Sequence, residues 1–96
     1  LAKAWNKFQG AASSISVDDS FNASSLEDVE AGHYRSIYTN NMNNDDYAHS
    51  VSSAFYSGVS SDTDTTTSRI KYFNGNASGS LVDAKEMALI IMGDLA

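Results

Sequence analysis

The stretch Ser80-Leu81-Val82-Asp83-Ala84-Lys85-Glu86-Met87-Ala88-Leu89-Ile90-Ile91-Met92-Gly93-Asp94-Leu95 holds the longest apolar run of the sequence, Met87 to Met92. Wound at about 100° per residue, Leu81, Ala84, Ala88, Ile91, Met92 and Leu95 share one face. Ser80 and Asp83 supply the short polar side chains that open helices by satisfying free amides. The spacing therefore predicts a helix over 81–95. Met87, Leu89 and Ile90 carry apolar character around to its other faces, which is the signature of a central helix. Met87 and Ile90 lie beside the main face, where a helix packed on one neighbour would leave them for another subunit.

Working outward, Arg69-Ile70-Lys71-Tyr72-Phe73 reads as a short strand followed by an Asn74-Gly75 turn, with Asn76 to Ser80 too polar and flexible to return as a strand. Ser60 to Ser68 has no apolar side chain and reads as a loop. Before it, Asp45 and Asp46 precede a stripe of Tyr47, Val51, Ala54, Phe55 and Val59, predicting a helix over 45–58 that ends at Gly58. Asn40 to Asn44 is a breaker. Ser24 and Glu27 form a capping box ahead of Leu26, Val29, His33 and Ile37, predicting a helix over 25–38. Gly32 interrupts it, and His33 to Thr39 is rich in strand formers, so a strand at 33–39 is the alternative. Ser16 to Asn22 reads as a loop. Leu1, Ala4, Trp5, Phe8, Ala11, Ala12 and Ile15 sit at helical spacing over 1–15. The expected fold is mainly α: a small bundle of about four short helices with one short strand or hairpin, or else α+β, in a single domain over 1–96.

The 96 residues suffice for one small core, and 12 acidic against 6 basic side chains give a formal charge of −6. Without clustered Lys and Arg, nucleic acid and anionic membranes are not expected partners. Six apolar residues in a row fall far short of the roughly 20 that a membrane helix needs, so no span is expected. The absence of cysteine removes disulfides, thiolate nucleophiles and Cys-based zinc sites. Ser, Thr and Asn number 16, 5 and 8, while Lys and Glu, the usual solubilisers of cytosolic domains, number only 4 and 3. That balance points outward, to an exported or surface-associated protein. A first residue of Leu rather than Met fits a processed chain, as leader removal would leave.

Motifs for chemistry are sparse. His33 and His49 lack metal-ligand spacing, no GxSxG elbow accompanies the many serines, and no glycine-rich phosphate loop is present. Asn22-Ala23-Ser24 and Asn76-Ala77-Ser78 match the glycosylation acceptor pattern at a frequency chance alone supplies. Asn74, Asn76 and Ser78, with Gly79 and Leu81, fall where an EF-hand calcium loop has its first three ligands, its turn glycine and its apolar residue. The segment Asn74 to Lys85 thus resembles an EF-hand loop, but Lys85 occupies the place of the bidentate carboxylate. No catalytic, metal or cofactor-binding residue is expected. The expectation is a non-enzymatic exported structural or interaction domain, a subunit of a self-associating filament, coat or surface assembly. Its partner is a second copy or another protein subunit, and the candidate interface residues are Met87, Ile90, Tyr34 and Tyr56. The alternative is a degenerate EF-hand-like or dockerin-like docking module.

Overall fold

Met87 to Met92 alternates strictly between inside and outside: Met87, Leu89 and Ile91 are buried, while Ile90 and Met92 stay exposed. Alternation of period two is that of a strand, so the segment at the heart of the expected last helix is extended. In a computed structural model of the chain, residues 1–10, 15–53, 56–59, 65–76, 78 and 80–96 are described, and among them all regular elements are strands. These are β1 (Ala2–Gln9), β2 (Ser16–Phe21), β3 (Ala23–Glu30), β4 (His33–Tyr38), β5 (Ala48–Ser53), β6 (Tyr56–Val59), β7 (Arg69–Gly75) and β8 (Met87–Met92). They form two antiparallel sheets, in strand order β2-β1-β8-β5 and β3-β4-β7-β6.

The helical bundle and its α+β alternative are therefore both incorrect. The expected helix over 1–15 is β1 up to Gln9, with 11–14 outside the described residues. The one over 25–38 is β3 and β4 joined by the Ala31-Gly32 turn, and the one over 45–58 is β5 and β6, with 54–55 outside the described residues. The supposed loop Ser16 to Asn22 contains β2. The strand at 69–73 lies within β7, and the alternative strand at 33–39 matches β4. Of the loop at 60–68, residues 60–64 lie outside the described residues.

Local chemistry explains the corners. Gly32 has a φ of +74°, and a Cβ there would come within 2.7 Å of the Asn74 carbonyl oxygen and 2.8 Å of the Val82 nitrogen. Only glycine combines that conformation with so close a backbone approach. Asn22, with a φ of 55°, is the single residue between β2 and β3, so it turns the chain from one sheet into the other. Its side chain fixes the corner: Nδ2 donates to the carbonyls of Lys3 and Asn40, each at 3.0 Å, and Oδ1 accepts from the Asn40 amide at 2.6 Å. Asn22→Ala removes all three bonds and keeps the unfavourable φ. It is expected to lower unfolding stability by about 1–3 kcal/mol, read as a reduced urea midpoint. Asn22→Gly, which accepts the φ but makes none of the bonds, is expected to fall between the two.

The core lies between the sheets. Ala4 and Phe8 of β1 and Met87, Leu89 and Ile91 of β8 face Tyr34 and Tyr38 of β4 and Ile70 and Tyr72 of β7, with Met42, Tyr47 and Ala84 closing the ends. Phe8 sets its ring edgewise against Tyr34 at 5.0 Å and Tyr72 at 6.2 Å, a favoured aromatic geometry. Polar ties cross this apolar layer: Asn6 Nδ2 donates to Ser36 Oγ at 2.8 Å, and Ser36 shares a 2.8 Å hydrogen bond with the Tyr72 hydroxyl. The Tyr34 hydroxyl accepts from the Ala84 amide at 3.0 Å and donates to the Gly10 carbonyl at 3.3 Å, fastening the segment before β8 to the end of β1.

Burial pushes the phenols of Tyr34, Tyr38, Tyr47 and Tyr72 above their ordinary value near 10, Tyr34 to about 12. The unfolded chain releases these protons near pH 10 while the folded chain holds them. Stability is thus expected to be independent of these groups below about pH 10 and to fall as the pH rises from there through about 12. Phenolate absorbance for the four should appear together with the loss of β-sheet circular dichroism, not before it.

Candidate functional site

Strand alternation that buries Ala4, Asn6 and Phe8 turns Lys3, Trp5, Lys7 and Gln9 of β1 to the outer face of its sheet. The register then assembles a row across the whole sheet. Trp5 pairs with Phe21 of β2 on one side and with Ile90 of β8 on the other, and Ile90 pairs in turn with Ser50 of β5. Directly paired residues of antiparallel strands point to the same face, so Phe21, Trp5, Ile90 and Ser50 lie side by side. Phe21 is 51% exposed, Ile90 47% and the neighbouring Met92 43%, with Trp5 half-buried between them. This is an aromatic and aliphatic strip on a solvent face.

The next row is polar: Asp19, Lys7, Ala88 and Ser52 in the same strand order. A register shift between Lys7 and Phe8 in the β1–β2 pairing makes room for Asp18, whose Oδ2 lies 3.3 Å from Lys7 Nζ. Glu86 Oε1 approaches the same nitrogen at 2.9 Å, and Gln9 Nε2 donates to Asp18 Oδ1 at 3.1 Å. Glu86 and then Asp18 hold the Lys7 ammonium above its usual pKa. Such exposed pairs add little to stability. Together with Asp19 in the row, Lys3 on the same face and Lys85 beside Glu86, three acids and three lysines leave this side of the face nearly neutral in a chain of charge −6. A shallow cleft of about 400 Å³ continues the polar row, lined by Lys7, Ser52, Ser53, Lys85, Glu86, Met87 and Ala88.

The four candidate interface residues are not brought together. Ile90 stands in the exposed row, but Met87 and Tyr34 are fully buried between the sheets, and Tyr56 is exposed on β6 of the other sheet, its ring 5.3 Å from that of Phe73. Helical spacing missed Trp5, Phe21 and Met92. The signal for Trp5 was its parity with Lys3 and Lys7, which a strand reading places on the solvent side.

The EF-hand-like segment is built differently from its resemblance. Asn74 is buried in β7, donating from Nδ2 to the Val82 carbonyl at 2.8 Å. Asn76 Oδ1 accepts from the Ser78 amide and hydroxyl and from the Ser80 amide at 2.8–3.1 Å, so the loop itself occupies the oxygen that would face an ion. Leu81 bridges back to Gly75 in extended conformation, where an EF-hand would begin a helix. Residues 77 and 79 of this segment lie outside the described residues. His33 faces Glu30, with Nδ1 3.4 Å from Oε1, and His49 lies on β5. Among the described residues no three of His, Asp and Glu converge on one point, and no helix is long and apolar enough to cross a membrane. The chain matches no protein-family model, no curated protein and no solved structure.

Proposed function

We propose that this domain is a non-enzymatic structural subunit, exported or displayed at a surface, that works by protein–protein association within a self-associating filament, coat or surface assembly. The observation carrying this reading is the Phe21–Trp5–Ile90 row with Met92 beside it. Each square ångström of apolar surface left in water forgoes about 25 cal/mol, and contiguous exposed apolar patches are characteristic of interaction sites. Sheet faces that meet only water normally carry polar side chains, as the outer side of β3 does with Ser25, Glu27 and Glu30. The Ser, Thr and Asn-rich composition supports the extracellular setting.

Sedimentation velocity and light scattering on the isolated chain, from low micromolar to high micromolar concentration, test the proposal. A concentration-dependent species heavier than 10.3 kDa is expected. A strict monomer throughout would overturn self-association.

A further inference from the structure

We infer that the occupant of the Trp5 face is a second copy of this chain, docked sheet on sheet about a two-fold axis that runs along the seam between β1 and β8. The inference rests on the self-association proposed above and names its geometry. Two copies of charge −6 repel on average, so they approach best where acids are already paired. On this face Asp18 and Glu86 both lie against Lys7, Lys3 and Lys85 balance the remaining charge of these acids and of Asp19, and the apolar row carries no charge.

Shape selects the axis. A two-fold contact brings residue i onto j and j onto i, so the face must complement itself. Its bulky side chains lie on β2 and β1, namely Phe21, Trp5, Asp19 and Lys7, while β8 and β5 offer Ile90, Ser50, Ala88 and Ser52 at the paired positions. An axis along the β1–β8 seam exchanges these halves. Trp5 then stacks on Ile90 of the second copy, Phe21 on Ser50, Lys7 on Ala88 and Asp19 on Ser52, large on small at nearly every position and no like charges in apposition. An axis across the strands would instead set Trp5 on Trp5, Phe21 on Phe21 and Lys3 against Lys7. Sheets packed in this way lie about 10 Å apart with strands nearly aligned.

The chain reports on its own interface, because Trp5 is its only tryptophan and it has no cysteine. Emission of Trp5 is expected to shift to the blue with rising concentration, with the same midpoint as dimer formation by sedimentation. Ile90→Lys and Ser50→Arg, both at exposed positions, should each weaken the dimer at least tenfold while keeping the β-sheet spectrum. The second serves if the first does not fold. A short bismaleimide should cross-link an equal mixture of Asp19→Cys and Ser52→Cys chains more efficiently than Ser52→Cys chains alone, whose two cysteines would lie on opposite edges of the dimer. Association without a Trp5 shift, or undiminished in the folded variants, would overturn this geometry and leave self-association standing. A chain that stays monomeric with constant Trp5 emission would overturn both.

Discussion

Leu89→Asp is expected to leave the chain unfolded in dilute buffer, whereas Ile90→Asp, one position on, is expected to keep its β-sheet spectrum. Leu89 is 1% exposed between the sheets, and Ile90 is 47% exposed on the outer face. A carboxylate at 89 would stand beside Asn6, whose Nδ2 already donates to Ser36, and otherwise among apolar residues, and burying it so poorly paired costs several kcal/mol, as does taking up a proton in its place. Domains of this size have about 5–10 kcal/mol to lose. At 90 the carboxylate reaches water directly. Circular dichroism and urea denaturation of the two variants separate the outcomes, and the pair reads strand alternation through the centre of the sheet.

Phe8→Ala carries the second largest expected effect, a loss of about 3–5 kcal/mol. Phe8 is fully buried and is the aromatic ring of its sheet that meets both Tyr34 and Tyr72 of the other. Truncation removes its transfer free energy and both ring contacts, and opens a cavity that sheets fixed by their own hydrogen bonds close only partly. A folded fraction that falls steeply by 37 °C is expected, measured by thermal denaturation followed at a β-sheet wavelength. A melting curve matching that of the unsubstituted chain would show that Phe8 does not join the sheets.

The legible parts of the fold are those where residue chemistry and local pattern agree. Arg69 to Phe73 alternates charged and apolar residues and is a strand, and the Asn40 to Asn44 breaker lies between β4 and β5. His33 to Tyr38 buries Tyr34, Ser36 and Tyr38 in alternation, a pattern blurred by serine at an inward position. In β8 the outward residues Ala88, Ile90 and Met92 are as apolar as the inward ones, so period two vanishes and helical spacing arises by coincidence. In β1 the usual pattern is inverted at two adjacent positions, with Asn6 inside and Trp5 outside. Both departures have a use in the folded chain. Asn6 ties the two sheets through Ser36, and Trp5 with Ile90 forms the exposed row, so of the residues that hid the strands one joins the sheets and the outward apolar ones make the candidate surface. The capping box at Ser24 and Glu27 misled for another reason: in β3 Ser24 Oγ donates to the Ile37 carbonyl and Glu27 pairs with Arg35 at 3.4 Å, contacts that depend on a neighbouring strand.

The pairing of β1 with β8 underlies both the architecture and the interaction surface, and nuclear Overhauser contacts observe it directly. Cross-strand backbone contacts are expected between Trp5 and Ile90, Asn6 and Leu89, and Lys7 and Ala88, with strong sequential α-proton to amide contacts along Met87 to Met92. An unbroken series of sequential amide to amide contacts over 81–95, with no contact to residues 5–7, would make this segment a helix and contradict the sandwich.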